Sequence, residues 1–351
     1  METNPAEVRG IKAEPVSQWL TANIDGATGP FTFTLITGGH SNLTYRVTAA
    51  DGRQMVLRRP PLGAVLATAH DMGREHKIVS GVGRSTVPVP AALGFCDDVS
   101  VNDAPFYIMD YVEGVVPHDA DTVAETMADT TTRQRLSQSV VDVLAALHTV
   151  DPDTVGLGDL GRKEAYLDRQ LRRWNKQWEA SKTRELPQMD RAFELLSHDK
   201  PEQRYTGIVH GDYRLGNMLV DPVAGSVAAV LDWELCTLGD VLADVGYLLN
   251  NWIQPDEETI GEVSVSPTRV GGFTTREELV AAYAAATGFE VSETDANYYR
   301  AFQYWRLGAI VEGVLARYEQ GVMADESVDP NDYRLRVVAM ADASLELLES
   351  S

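Results

Sequence analysis

The sequence predicts an α+β fold in which a small antiparallel sheet precedes a mainly helical part. Before residue 112, short runs of β-branched and aromatic residues alternate with turn signals, as in residues 31–36, 43–47 and 54–59. After residue 114, apolar residues recur at helical spacing instead, as in residues 133–150. At 351 residues the chain is long enough for two lobes with separate cores.

The composition limits the class of protein. A net charge of −22 argues against nucleic acid or an anionic membrane as the main partner, because both bind basic surfaces. It permits a cationic substrate, although a solvated acidic surface is the simpler interpretation. Cys96 and Cys236 lie far apart, so we expect neither a disulfide framework nor a structural zinc site. Residues 1–14 lack the apolar segment of a signal peptide, and we expect a cytoplasmic protein without a membrane span.

The first two predicted strands are joined by a glycine-containing turn at residues 38–42. Gly39 permits close approach of the backbone, so backbone N–H groups and the side chains of Ser41 and Asn42 suit contact with phosphate groups. Taken alone, a Gly-Gly pair between strands is an ordinary hairpin turn. The neighbouring residues decide whether the phosphate interpretation is favoured.

A cation and a carboxylate follow this hairpin. Arg58 closes the strand predicted over residues 54–59, where a nucleotide kinase places a cation for the phosphates. Glu75 lies within a helix predicted over residues 67–82 and is placed to pair with Arg58. The alternatives are a solvated arginine on an edge strand and an unpartnered surface glutamate.

An apolar strand at residues 106–112 ends in Glu113-Gly114 and suits a hinge between the two lobes. We expect a first lobe at residues 1–109, a hinge at 110–114 and a helical second lobe at 115–351. Backbone groups between Asp110 and Val112 are candidates for hydrogen bonds to an adenine edge, on position alone.

Residues 208–234 carry the pattern that is most informative about function. They contain Asp212, then Asn217 five residues later and, after an apolar run, Asp232, each at one end of a short predicted strand. A carboxylate that orients a hydroxyl group, with an amide oxygen and a second carboxylate that hold magnesium on a nucleotide, is the layout of a phosphoryl-transfer site. The next helix is predicted over residues 241–250 and is opened by residues 239–240 and Asp244.

Two predicted helices, residues 163–181 and 292–319, are candidates for binding the acceptor. The first has basic residues between its apolar positions, and the second has many aromatic residues. For the first helix, the more common explanation is an ordinary packed helix with a basic outer face. For the second, it is a stripe of aromatic residues in the core. The candidate substrate contacts are Glu234, Arg173, Trp305 and Arg306.

These motifs resemble the aminoglycoside phosphotransferase family, whose fold is that of the protein kinases, over about residues 30–320. The resemblance is carried by HGDYRLGN at 210–217, LDWE at 231–234, GGHSN at 38–42, VLRRPP at 56–61, VPVP at 87–90 and PFYIMDYVEG at 105–114. The most similar branch is the kinase-like domain of acyl-CoA dehydrogenase family members 10 and 11 and their free-standing bacterial relatives. YWRL at 304–307 especially resembles that branch.

The resemblance implies a bilobal fold and phosphoryl transfer from ATP or GTP, with Mg²⁺, to a hydroxyl group of a small molecule. Asp212 would then be the catalytic residue, and Asn217 and Asp232 would bind the metal. Arg58, braced by Glu75, would contact the phosphates. The remaining implied nucleotide contacts are Gly39, Ser41 and Asn42 over the phosphates and the segment from Asp110 to Val112 at the adenine.

Two departures from the family pattern are visible. Lysine usually anchors the phosphates, and the position holds Arg58, whose planar fork is not equivalent in geometry. The dehydrogenase portion of the most similar branch is absent from this sequence, so we expect any coupling to that chemistry to pass through a separate protein. The acceptor stays open between an aminoglycoside-like polycation and a hydroxyacyl-type molecule, and a non-catalytic nucleotide-binding module is the alternative function.

Overall fold

The computed structural model describes residues 8–36, 42–62, 71–257, 266–321 and 329–350. The chain divides into two compact units. The first comprises Met1–Glu113 together with Ala228–Glu234, and the second comprises Gly114–Val227 and Leu235–Ser351. Within the described ranges, no helix combines the length and the apolar character needed to cross a membrane.

The first unit is built on a five-stranded antiparallel sheet with the strand order β1-β2-β3-β5-β4. Its strands are β1 (Thr32–Leu35), β2 (Leu43–Thr48), β3 (Gln54–Arg59), β4 (Ala92–Cys96) and β5 (Phe106–Asp110). The predicted strands are therefore present, although the strand expected at 106–112 ends at Asp110. A short helix, which the sequence pattern did not indicate, precedes β5 at Val99–Asn102.

Helices cover both faces of this sheet because side chains alternate along a strand. α1 (Ala13–Asn23) shares a core with Leu57 and Ile108 on one face. α2 (Met72–Val82), which begins at the N-cap Asp71, packs against Val56 and Tyr107 on the other. The short helix Val99–Asn102 is α3. By the same alternation, Arg58 points to the face that α2 covers, as Val56 does.

The second unit is mainly helical. Its helices are α4 (Ala120–Thr126), α5 (Thr130–Thr149), α6 (Tyr166–Ser181), α7 (Pro187–His198), α8 (Leu242–Asn251), α9 (Arg276–Thr287), α10 (Glu293–Glu319) and α11 (Pro330–Glu349). α10 packs against α6, α7, α8 and α11, and it is therefore the central helix of the unit. Thr275 and Glu278 form the predicted capping box at the start of α9.

The strands of this part of the chain are short. They are β6 (Thr206–Val209), β7 (Met218–Asp221), β8 (Ser226–Val230) and β9 (Thr237–Asp240). β6 pairs antiparallel with β9.

The helix predicted over residues 241–250 is α8, which begins at Leu242, and residues 239–240 precede it as predicted. The same two residues also end β9, a strand that the sequence did not predict. Gly239 is held in the strand by packing: a Cβ atom there would lie 2.1 Å from the ring of Tyr166. The carboxylate of Asp240 accepts hydrogen bonds from the Tyr299 hydroxyl at 2.5 Å and from the backbone N–H of Leu242 at 3.2 Å. Tyr166 and Tyr299 lie far away in sequence, and the local pattern Thr-Leu-Gly-Asp carries no strand signal, so the strand could not be predicted locally.

Candidate functional site

In the first unit, one buried guanidinium is held between two carboxylates. Nη1 of Arg58 lies 3.0 Å from Oε1 of Glu75, and its Nη2 donates a hydrogen bond to Oδ1 of Asp232 at 2.8 Å. Burial opposes the charge of Arg58, but its negatively charged neighbours outweigh burial, so the pKa of Arg58 is raised above its usual value. The predicted pair of Arg58 and Glu75 is therefore present, and Asp232 is a second partner of the same cation.

Two atoms of this group retain unused hydrogen-bonding capacity. Tyr107 donates to Oε1 of Glu75 at 3.1 Å, but Oε2 of Glu75 and Nε of Arg58 are buried without a hydrogen-bond partner in the part of the chain that the structure describes. A buried polar atom without a partner costs roughly 1–3 kcal/mol. An oxyanion placed against Arg58 would satisfy its N–H donor, so the geometry fits the predicted phosphate contact.

Asp232 itself has an unusual backbone conformation. Its φ is +64°, in the left-handed region that non-glycine residues rarely adopt. The next residue, Trp233, is buried, and its indole Nε1 donates to the carbonyl of Val230 at 3.1 Å, which holds the turn around Asp232. Strain of this kind concentrates at functional sites, where the surrounding structure maintains it.

In the second unit, β6 leads into a tight turn at His210, Gly211 and Asp212. Gly211 has φ +86°, and a Cβ atom there would lie 2.9 Å from the carbonyl oxygen of Leu235, so only glycine fits. His210 is fully buried, and its ring Nδ1 accepts a hydrogen bond from the backbone N–H of Asp212 at 3.2 Å. His210 therefore braces the turn and is not itself exposed to a substrate.

The carboxylate of Asp212 is held by its neighbours in the turn and on α8. Asn217 Nδ2 donates to Asp212 Oδ2 at 2.6 Å and to the Asp212 carbonyl at 2.9 Å. Arg214 Nε lies 3.4 Å from Asp212 Oδ1. Burial and then the charge of Asp212 raise the pKa of the Tyr247 hydroxyl, so this phenol stays protonated beside the carboxylate. Asp212 is thus fixed in orientation and stays accessible in part.

Asp244 supports the turn from α8. Its Oδ2 accepts from the backbone N–H of His210 at 2.6 Å, and its Oδ1 accepts from that of Gly211 at 2.8 Å. His148 Nε2 lies 3.3 Å from the same Oδ2, and His148 Nδ1 lies 2.7 Å from the hydroxyl of Tyr283. A fully buried carboxylate therefore satisfies two backbone donors of the turn.

We expect Asp244→Ala to lower the free energy of unfolding by about 3 kcal/mol, because it leaves two buried N–H donors without an acceptor. The exposed Asp342→Ala in α11 is the control and should change stability by less than about 0.5 kcal/mol. Urea denaturation of both variants measures the difference. Equal, small effects would mean that the turn finds other acceptors.

The predicted nucleotide-covering hairpin is described only in part. Gly39 and Ser41 lie outside the described residues, so their roles stay predictions. Asn42 is described and is 3% exposed, immediately before β2.

The expected adenine segment follows the end of β5. The backbone N–H of Asp110 donates to the carbonyl of Ala91 at 2.9 Å, and its carboxylate lies 3.4 Å from Nη2 of Arg53. The N–H of Asp110 is therefore engaged in the sheet. Val112 is partly exposed beyond the end of the strand, so it keeps its predicted role as a candidate adenine contact.

The four candidate substrate contacts lie in different environments. Arg173 is exposed on α6 with its guanidinium 4.9 Å from the ring of Trp174, and Glu234 is partly buried. Trp305 is fully buried, and its indole Nε1 donates to a backbone carbonyl in α7, so its ring belongs to the core instead of a substrate surface. Arg306 is also buried, at 6% exposure, and donates to the carbonyl of Gly211 in the turn that precedes Asp212. The aromatic stripe of α10 is thus a core stripe.

Sequence reasoning missed two tyrosines that contact the predicted site residues. Tyr107 is opposite Arg58 in the register of β3 and β5, which becomes visible only once the strands are paired. Tyr247 follows Asp244 by three positions on α8 and so shares its face. Helical spacing from Asp244 is the signal that could have identified Tyr247.

Comparison with known proteins places these features in a family. Residues 32–300 match the model of the phosphotransferase enzyme family (APH). Mouse acyl-CoA dehydrogenase family member 10 is 36% identical over 293 residues, which cover 83% of this chain. The chain spans only 27% of the length of that relative.

Solved structures agree with the fold. A protein of Ralstonia eutropha JMP134 with a provisional assignment as an aminoglycoside phosphotransferase is 29% identical and superposes with a TM-score of 0.80, covering 96% of this chain and 98% of its own. An amicoumacin kinase in complex with AMP-PNP, Ca²⁺ and Ami has a TM-score of 0.57 at 14% identity, covering 96% and 94% of the two chains, and shares the fold alone. The predicted fold class, a small antiparallel-sheet part and a helical part of kinase-like type, is confirmed.

Proposed function

The chain belongs to the phosphotransferase enzyme family, and from this premise we propose that it moves the γ-phosphoryl group of a nucleoside triphosphate, ATP or GTP, to a hydroxyl group of a small molecule with the help of Mg²⁺. The observation that carries the proposal is the fixed carboxylate of Asp212. Asn217 Nδ2 donates to one of its oxygens, and the charge of the carboxylate lies close enough to Tyr247 to raise the pKa of that phenol. A carboxylate held in this way is suited to accept the proton of a hydroxyl nucleophile or to orient it.

Arg58, the cation on β3, is the proposed binding residue for the nucleotide. Arg58 contacts the phosphates in this proposal, and Glu75 orients Arg58 from α2. The unused Nε donor of Arg58 supports this role, since a phosphate oxygen would satisfy it. Arginine can meet two oxygens of a phosphate at once, so the replacement of the usual lysine is compatible with the role.

Magnesium is assigned to oxygen donors. The two hydrogen bonds from Nδ2 of Asn217 leave its Oδ1 for a metal ion, and the carboxylate of Asp232 is the second donor. A hard cation such as Mg²⁺ accepts this donor set together with phosphate oxygens and water. Within the described ranges, no group of three or more His, Cys, Asp or Glu side chains is arranged to hold a metal ion. When bound, the ion neutralises charge on the phosphates.

The acceptor is assigned by charge to one of two classes. The net charge of −22 favours a cationic acceptor of the aminoglycoside type. Arg172, Arg173 and Lys176 are exposed on α6 and form a local cationic surface, which favours an anionic, hydroxyacyl-type acceptor. The relation to an acyl-CoA dehydrogenase family member points the same way, although the activity of that relative is its own.

The experiment measures release of nucleoside diphosphate with Mg²⁺ against a panel of aminoglycosides, short hydroxy acids and hydroxyacyl thioesters. We expect turnover with one class. If an anionic class is used, exchange of Arg172, Arg173 and Lys176 for glutamine should raise the acceptor KM about tenfold. Arg317→Gln, an exposed change on α10, is the control. Nucleotide binding without phosphate consumption across the whole panel would instead indicate a non-catalytic nucleotide-binding module.

A further inference from the structure

A buried cation on α10, Arg306, has no carboxylate partner among the residues that the structure describes. Arg306 is 6% exposed, and in the described part of the second unit no Asp or Glu oxygen lies within 4.0 Å of its guanidinium. Charged side chains are almost never buried unless they are paired, because burial removes their hydration. Other contacts must therefore compensate for the hydration that Arg306 loses on burial.

The guanidinium contacts four neutral groups in the described part of the chain. Nη2 donates to the carbonyl of Gly211 at 3.0 Å, and Nη1 donates to Oε1 of Gln303 at 2.7 Å. Gln303 is itself fixed, since its Nε2 donates to the carbonyl of Ala243 at 2.7 Å. The rings of Trp174 and Tyr247 lie 5.5 and 5.8 Å from the guanidinium carbon.

The carbonyl that Arg306 contacts belongs to the turn that carries Asp212. Asp244 accepts hydrogen bonds from the backbone N–H groups of His210 and Gly211, as described above. Arg306 donates to the carbonyl of Gly211, which belongs to the next peptide group. The peptide group between Gly211 and Asp212 is thus held by the cationic side chain of Arg306. A charge-assisted hydrogen bond to a buried carbonyl is stronger than a neutral one and fixes the plane of that peptide.

We propose that Arg306 is a positioning residue, which fixes the Gly211 carbonyl and so the orientation of Asp212, and which ties this turn to α6 through Trp174. Its kinetic consequence rests on the proposed function, but its structural consequence does not. The same guanidinium also lies 5.8 Å from the ring of Tyr247, whose hydroxyl interacts with the charge of Asp212. Arg306 therefore connects both supports of the carboxylate with the helix that carries the cationic surface.

Arginine is required at this position for geometric reasons. Its planar fork donates in two directions while its faces stay available for aromatic contacts. A lysine ammonium keeps the charge but has neither the fork nor the flat faces. Arg306→Lys and Arg306→Met therefore separate the effect of geometry from that of charge.

The kinetic test compares both variants with Arg317→Lys and Arg317→Met. Arg317 lies exposed on the same helix and donates to a carbonyl of its own helix, that of Gly313, at 3.3 Å. Misplacement of a catalytic group costs about 100-fold in rate, so we expect kcat to fall about 100-fold in Arg306→Met and less in Arg306→Lys, with the acceptor KM within about threefold. A raised acceptor KM with unchanged kcat would overturn the proposal and make Arg306 a substrate contact.

A second readout does not depend on turnover. Amide hydrogen exchange at His210 and Gly211 should be at least about tenfold faster in Arg306→Met than in the wild-type chain or the Arg317 variants. Unchanged exchange and unchanged kcat would overturn the proposal and leave Arg306 with a packing role only. If Arg306→Met does not fold, Gln303→Met removes the Nη1 acceptor, together with the bond to the Ala243 carbonyl, while it keeps the guanidinium, and it should speed exchange at the same two amides. A wild-type chain without turnover on any acceptor would contradict the proposed function, while exchange still decides the role of Arg306.

Discussion

Asp212→Asn is expected to lower kcat about 1000-fold, because the amide can neither accept the proton of a hydroxyl group nor balance its developing charge. The substitution keeps the size and shape of the side chain. The bond from Asn217 Nδ2 to Asp212 Oδ2 can be kept only if the new amide turns its oxygen, and not its NH₂ group, towards Asn217. Steady-state rates of diphosphate release with the identified acceptor measure the loss.

Nucleotide binding is the control for this variant. Arg58 and Glu75, which are assigned to the nucleotide, are unchanged, so the affinity for a non-hydrolysable triphosphate should stay within about threefold of wild type. The exposed Asp342→Asn should keep both turnover and binding. Full turnover in Asp212→Asn would show that another group serves as base.

Asp232→Ala is expected to abolish the gain in nucleotide affinity that Mg²⁺ brings, a loss of roughly 100-fold in the presence of the metal. The physical reason is the removal of an oxygen donor from the metal. Without Mg²⁺ the affinity should change little, because Arg58 keeps its charge and its partner Glu75. Calorimetric titration of the triphosphate with and without Mg²⁺ provides both values.

Glu75→Gln is the matched control for Asp232→Ala. It removes the other carboxylate of Arg58 but no proposed metal donor, so the stimulation by Mg²⁺ should persist even where the overall affinity falls. If both variants lose the Mg²⁺ stimulation equally, the role of Asp232 is to orient Arg58, and the metal has other ligands. A wild-type chain whose binding is indifferent to Mg²⁺ would contradict the metal assignment outright.

Much of the first unit could be predicted because its information is local. Alternating apolar residues identified the strands around Arg58, and helical spacing identified the helix that carries Glu75, so their pairing could be anticipated from residue type. The glycine at position 211 was visible as part of a motif. Its reason became visible only with the backbone of Leu235, which occupies the space that a Cβ atom would need.

The residues predicted to contact the acceptor could not be judged from the local sequence alone. Trp305 and Arg306 each combine an apolar or flat side chain with N–H donors, and they lie on a helix rich in aromatic residues. The sequence therefore did not distinguish a substrate pocket from a packed core. Packing of α10 against α7 buries the indole of Trp305, and the turn at Gly211 captures the guanidinium of Arg306. Both outcomes depend on partners more than 90 residues away.

The residue types and spacing of Asp212, Asn217 and Asp232 were sufficient to predict phosphoryl-transfer chemistry, since few oxygen-donor patterns follow apolar strands in this way. The tertiary structure alone decided how those groups are held. It placed Asp232 against Arg58 in a left-handed conformation and brought Tyr247 to Asp212. Chemistry follows from side-chain identity, which is local, whereas orientation follows from hydrogen bonds and packing between segments distant in the chain.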